Sequence, residues 1–153
     1  MNIEIRKAKR DDVTSIVRLL ASDLLGAQRE LYQNPLPEKY YSSFEEIDSD
    51  KNNHLIVCEI DKKIAATLQL TIIPYLTYQG GRRALIEAVR VDSNYRGQGL
   101  GKKMLQWAIS KAQELSCHLV QLTTDKKRPD ALEFYKSLGF VSSHEGLKLS
   151  LNS

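Results

Sequence analysis

The segment Arg96-Gly97-Gln98-Gly99-Leu100-Gly101-Lys102 carries three glycines at alternate positions, between an apolar strand-like run and a helix-like run. Glycine takes positive φ at no steric cost and lets backbone amides approach a ligand closely. A helix start just after it offers unpaired N–H groups and the positive end of the helix dipole. Together these features make a cradle for phosphate or pyrophosphate. The plain alternative is a tight turn into a helix, which one or two glycines would serve. Two nucleotide motifs fail on inspection. A Walker A loop would need Gly at 96 and Ser or Thr at 103, where the chain has Arg96 and Lys103. A dinucleotide fingerprint would need Gly at 102, where it has Lys102.

A carboxylate stands out just upstream, in Leu85-Ile86-Glu87-Ala88-Val89. In such an apolar run it needs a partner or a cavity. Alternation places Glu87 on one face with Leu85 and Val89. A partly apolar cleft would raise its pKa toward useful basicity. An edge-strand ion pair with Arg82, Arg83 or Arg90 is the other reading. Cys58 and Cys117 sit within apolar runs and read as buried thiols of a reducing compartment. Two cysteines and three scattered histidines give no zinc spacing, so no metal is expected.

The elements that must position these residues are readable in outline. Ile3 and Ile5 alternate with Glu4 and Arg6 as a short strand. Asp11-Asp12 is expected to cap a helix whose apolar face is Val13, Ile16, Val17, Leu20 and Leu24. The pattern loosens from Ser22 to Asn53, where Pro35 and Pro37 intervene and Tyr40 to Ile47 suggests a short helix. His54 to Ile60 and Ile64 to Pro74, joined by Asp61-Lys62-Lys63, read as a hairpin. Tyr75 to Gly81 is a loop and Ala84 to Val91 a further strand. Leu100, Met104, Leu105, Ala108, Ala112 and Leu115 recur at helical spacing. Leu119 to Leu122 is a strand. Pro129 opens a helix that Gly139 closes. Phe140-Val141 and Leu147 to Leu151 are expected to finish the chain as strands. This order implies a mixed α/β fold, with about four helices on a largely antiparallel sheet.

The chain has 153 residues, enough for a single domain over 1–153 with a core of its own. No apolar run reaches the length of a membrane span, and the N-terminus lacks the stretch of a secretory signal. A cytoplasmic protein without membrane partners is expected. The net charge of +3, from 22 basic and 19 acidic residues, is too small a bias to imply nucleic acid.

Arg96-x-x-Gly99-x-Gly101 after an apolar strand resembles the acetyl-CoA signature of the GCN5-related N-acetyltransferases. A second landmark, Ala131-Leu132-Glu133-Phe134-Tyr135-Lys136-Ser137-Leu138-Gly139-Phe140, is similar to the C-terminal motif of that family. The element order matches as well, so the resemblance covers nearly the whole chain. It implies a bulged strand before the glycine loop, splayed from its neighbour, with acetyl-CoA in the gap. The backbone of Val89, Arg90 and Val91 is then expected to bind the pantetheine arm like an added strand. Arg96 heads the loop, and the amides of Gly97, Gln98, Gly99, Leu100, Gly101 and Lys102 wrap the pyrophosphate. A free N–H near Val89 polarises the thioester carbonyl.

The resemblance further implies a direct acetyl transfer to a primary amine, with Glu87 as base through a water and Tyr135 as acid toward the coenzyme sulfur. Plain packing is the alternative for Tyr135. Arg128, after Lys126-Lys127, stands where relatives commonly have Asn, and is a candidate contact to the coenzyme; a solvated basic run is the alternative. His144 lies in a turn where the family places substrate-side residues, or is an ordinary turn histidine. Tyr32, Tyr40, Tyr41, Tyr75 and Tyr78 are candidate walls of the acceptor site. Glu45, Glu46, Asp48 and Asp50 would attract a cationic amine or mark an exposed helix end. The partners implied are a small-molecule or peptide amine and, as an option, a second copy of the chain as a homodimer. A non-catalytic acyl-CoA-binding regulatory module is the alternative function.

Overall fold

The computed structural model describes residues 2–152 as two compact units, the first ending at Gln121 and the second beginning at Leu122. The first holds β1 (Ile3–Lys7), α1 (Val13–Leu20), α2 (Leu24–Arg29), α3 (Glu38–Ser49), β2 (Asn53–Ile60), β3 (Lys63–Pro74), β4 (Arg82–Val91) and α4 (Leu100–Glu114). β5 (Leu119–Leu122) closes a sheet of order β1-β2-β3-β4-β5. The pairs β1/β2, β2/β3 and β3/β4 are antiparallel. β2 and β3 form the expected hairpin, and its turn residues Asp61 and Lys62 are both left-handed (φ 49° and 69°). Such a turn matches the right-handed twist of the strands it joins.

The register sorts the strand residues onto two faces. Ile56 faces Leu68, Leu70 faces Ile86 and Ile72 faces Ala84, all fully or nearly fully buried. This face packs on α4, whose stripe of Leu100, Met104, Leu105, Ala108 and Ala112 is buried. On the other face Val57 joins Val13, Ile16, Val17 and Leu19 of α1 and Phe44 of α3 in a second cluster. Burying a side chain of this size contributes about 1.5–3 kcal/mol, so the two clusters hold the sheet between helical layers.

Asp12 does not cap α1. A 3₁₀ turn over Arg10–Asp12 precedes the helix, and the Asp12 carboxylate turns back to accept from the Lys9 N–H at 2.7 Å. It also takes a bidentate pair of hydrogen bonds from Arg6 at 2.8 and 3.1 Å. Burial pushes this carboxyl up, but Arg6 and the Lys9 amide outweigh it and hold it below its usual 3.8. A carboxyl depressed in the folded state stabilises the fold above its unfolded pKa and loses that contribution as pH falls through the folded value. Asp12→Asn should therefore cost about 1.5–3 kcal/mol at neutral pH by denaturant titration. Its stability should also fall less steeply than that of the wild type below about pH 4. Equal slopes in the two proteins would show that Asp12 carries none of the acid sensitivity.

The second unit carries α5 (Pro129–Ser137), with Pro129 in the first turn, Asp130 at its positive end and Lys136 at its negative end. Gly139 follows at φ 98° and stops the helix. The expected strands at Phe140-Val141 and Leu147 to Leu151 are not formed among the described residues. Val141, Leu147, Leu149 and Leu151 are 81–91% exposed. Alternation specifies a face, but a strand also needs a partner for its ladder, and these residues have none in this structure. Among the described residues no helix is long and apolar enough to cross a membrane.

Candidate acetyl-CoA site

β4 is bulged. Gln69 pairs with Glu87 and Thr67 with Arg90, so one residue of β3 faces two of β4, Ala88 and Val89. Ala88 takes φ 56°, a left-handed conformation that costs an alanine about 1–2 kcal/mol. The extra residue breaks one-to-one pairing, bends the strand and leaves backbone polar groups out of the ladder. It also corrects the sequence alternation. Leu85, Glu87 and Arg90, not Val89, share a face, the one covered elsewhere by α1 and α3. β5 meets β4 at the start of both strands, where the His118 N–H donates to the Arg82 carbonyl at 2.9 Å.

The glycine loop follows after a 3₁₀ turn over Ser93–Tyr95. Gly97 and Gly99 are left-handed (φ 76° and 78°), and a Cβ built on either would meet no atom within 4 Å. Gly99 is the N-cap of α4, and the first helical bond runs from the Lys103 N–H to the Gly99 carbonyl at 3.1 Å. The amides of Leu100, Gly101 and Lys102 precede that ladder. The open space beside two glycines, the early amides of a 15-residue helix and its dipole fit a pyrophosphate.

Side chains of the loop are spent on shaping it. Arg96 Nε donates to the Val91 carbonyl at 3.3 Å and Gln98 Nε2 to the Asn94 carbonyl at 3.4 Å. Arg90 Nη1 donates to the Val89 carbonyl at 2.8 Å. Of the strand segment expected to meet pantetheine, the Val89 and Val91 carbonyls thus each hold a side-chain donor, and a carbonyl oxygen has two lone pairs. Sequence reasoning missed Asp92, which is buried at the end of β4. It accepts from the Asn94 N–H at 2.9 Å and from Arg18 of α1 at 3.0 Å, which tie the loop's first turn to the helix. The Asn94 and Arg18 hydrogen bonds outweigh burial and hold its carboxyl below the usual range. The Asp-x-Asn spacing before a turn was the available signal.

Glu87 is exposed on β4 rather than enclosed in a cleft. Among the described residues it makes no salt bridge, so the alternative pairing with Arg82, Arg83 or Arg90 is not formed. Tyr135 lies on α5, half-buried, with its ring centroid 5.3 Å from Phe134 and 6.0 Å from Phe140. Arg128 is half-buried just before α5, while Lys126 and Lys127 are exposed. His144 bonds to Ser143 Oγ at 2.6 Å in an exposed turn.

Several acidic candidates on the acceptor side are already engaged. Glu45 pairs with Arg10 at 2.8 Å and Asp48 with Lys7 at 3.3 Å. Asp50 accepts from the Asn52 N–H and the Asn53 amide. Tyr40 bonds to Glu30 at 2.8 Å and holds the entry to α3. Both cysteines are free thiols, and burial pushes both up in pKa, away from nucleophilic thiolate.

Comparison with known proteins agrees with this geometry. The sequence model of the acetyltransferase (GNAT) family matches residues 21–140. Among solved structures, a protein of Bacillus halodurans C-125 described as a transcriptional regulator is 53% identical, with a TM-score of 0.95 over 98% of this chain and 100% of that one. A protein of Clostridium acetobutylicum described as a predicted acetyltransferase and solved with acetyl-CoA is 25% identical, with a TM-score of 0.75 over 98% of this chain and 97% of that one. Glucosamine 6-phosphate N-acetyltransferase of Arabidopsis thaliana is 31% identical over 117 residues, 74% of each chain. Other relatives are longer: the match spans 40% of yeast N-alpha-acetyltransferase 30 and 59% of an N-acetyltransferase of Methanocaldococcus jannaschii.

Proposed function

Because this chain belongs to the GNAT family of acetyltransferases, we propose that it moves the acetyl group of acetyl-CoA to a primary amine by direct attack. The observation that carries this is the bulged β4 running into a left-handed glycine loop and a helix start. The relative from Arabidopsis thaliana, named for an amino-sugar phosphate, supports an amine acceptor.

Acetyl-CoA supplies an activated thioester. The amides of Gly97 to Lys102 receive its pyrophosphate, and the backbone of Val89 to Val91 aligns the pantetheine arm. A backbone N–H freed by the bulge near Val89 donates to the thioester carbonyl oxygen as negative charge develops there; one such donor is worth about 10²–10³ in rate. An alkyl ammonium with a pKa near 10.4 must lose a proton before it attacks, and Glu87 takes that proton through a water. Tyr135 gives a proton to the departing thiolate. Neither a metal nor a cysteine takes part in this route.

Gly99→Asp tests the cradle. The variant places bulk and like charge where pyrophosphate would sit, and acetyl-CoA affinity should fall at least about tenfold, or 1.4 kcal/mol. Gly99→Asn has the same shape and tolerates left-handed φ, so it should lose less, and the difference isolates the charge. Calorimetry on the folded variants reads both. Unchanged binding by Gly99→Asp would falsify the cradle.

A second reading, a coenzyme-binding regulator without turnover, is favoured by the description of the Bacillus halodurans neighbour as a transcriptional regulator. Release of thiol with a panel of amines separates the two, because a regulator binds acetyl-CoA and transfers nothing.

A further inference from the structure

Arg83 lies four residues before Glu87 on β4. The register puts both on one face: Leu85 pairs with Thr71 and Glu87 with Gln69, and Arg83 pairs with Ile73 in the same alternation. Four strand residues span about 13–14 Å. Glu87 and Arg83 thus stand at two points of one row, a span to be filled by the two side chains, a water on Glu87 and a short amine bearing an anion between them.

The surroundings of Arg83 are those of a held cation without an anion. Its guanidinium carbon lies 4.9 Å from the Tyr75 ring centroid and 5.2 Å from that of Tyr78. Tyr78 stacks on His118 with centroids 4.9 Å apart. Among the described residues the guanidinium donates one hydrogen bond, to a neutral amide oxygen, Gln121 Oε1, at 3.3 Å. Its Nε is buried without a hydrogen-bond partner, and no carboxylate among the described residues pairs with it. A half-buried arginine that served packing alone would ordinarily be paired with a carboxylate or reach solvent with its whole fork.

The loop is built at a cost to hold this arrangement. Tyr78 and Gln79 are both left-handed (φ 55° and 59°), conformations a tyrosine and a glutamine adopt only under constraint. Gly81 admits the ring of His118 beneath Tyr78, because a Cβ there would lie 2.6 Å from His118 Cδ2. Two aromatic faces fix the guanidinium plane, and a fixed planar fork is what bidentate recognition of phosphate or carboxylate requires.

We infer that Arg83, clamped by Tyr75 and Tyr78, binds an anionic group on the acceptor, so that the acceptor is a primary amine bearing a phosphate or carboxylate. This rests on the transfer reading above and adds the acceptor's charge to it. Three of the four acidic residues around α3 that would favour a cationic acceptor, Glu45, Asp48 and Asp50, are spent on Arg10, Lys7 and their own loop.

The test compares O-phosphoethanolamine, β-alanine and ethanolamine as acceptors for the wild type, Arg83→Gln and Arg83→Lys. In the wild type kcat/KM for an anionic amine should exceed that for ethanolamine at least about tenfold, carried by KM. Arg83→Gln should abolish that preference and leave kcat and the ethanolamine parameters unchanged, and Arg83→Lys should restore part of it. O-phosphoethanolamine ahead of β-alanine assigns the anion as phosphate, and the reverse order as carboxylate. A wild type indifferent to charge, or an Arg83→Gln defect equal for all three amines, overturns the inference while transfer stands. Binding of O-phosphoethanolamine in the presence of CoA, followed by NMR, keeps the two ideas apart. If it binds the wild type and not Arg83→Gln, yet no amine is acetylated, the anion site stands and transfer falls. If it does not bind the wild type, the anion site falls.

Discussion

Glu87→Gln should lower turnover by about 10²–10⁴-fold when proton removal limits the rate, with acetyl-CoA binding kept. Glutamine keeps the size of the side chain and accepts no proton at neutral pH. Glu87 makes no ion pair among the described residues, so the substitution breaks no salt bridge, and the fold should be unaffected. The pH dependence gives the sharper reading. As pH rises toward the amine pKa of about 10.4, more acceptor arrives neutral and needs no base. The defect should shrink accordingly, by up to tenfold for each unit of pH over that range. A defect that stays flat from neutral to alkaline pH would assign Glu87 to positioning of the acceptor and remove it as base. Thiol release measured across pH at saturating acetyl-CoA decides between these outcomes.

The parts of this site that were legible in the sequence are those where one residue type has one conformational use. Gly97 and Gly99 are the residues that turn left-handed without steric cost, and both do. The stripe from Leu100 to Ala112 had one period and produced one buried helix face. The bulge was not legible as residues, because Ala88 is an ordinary residue in an ordinary apolar run; only the family resemblance implied it. An insertion of one residue leaves the composition of a strand unchanged while it moves every later side chain to the other face. That is why plain alternation places Val89 on the face of Glu87 while Arg90 occupies it. Asp12 failed as a cap for a similar reason. Its type suits a helix start, but Arg6 on a neighbouring element outcompetes the helix amides, and no local pattern records that partner. At the C-terminus the leucines at 147, 149 and 151 carry the period of a strand without the partner that would make one. The clamp on Arg83 depends on two left-handed residues in a loop, where the sequence offered only a run of tyrosines and glycines.

Tyr135→Phe should leave acetyl-CoA affinity nearly intact and lower turnover by about 10²-fold or more, as loss of a general acid does. Only the hydroxyl leaves. The ring contacts with Phe134 and Phe140 depend on the aromatic face and edge, which phenylalanine retains, so α5 and its turn into Phe140 should persist. The proposed role of the hydroxyl falls at the moment when the thiolate departs. A thiol with a pKa near 8.5, by analogy with cysteine, leaves more readily if a proton reaches its sulfur. The variant's defect should therefore lessen with acetyl thioesters whose thiols are more acidic, because those thiolates depart unprotonated. Glu87→Gln should show no such dependence, since its proton comes from the amine. The two variants thus respond to different variables, one to pH through the acceptor and the other to the leaving group. A Tyr135→Phe protein that loses coenzyme binding and turnover in equal measure, whatever the leaving group, would make Tyr135 a packing residue and leave the departing thiolate to solvent.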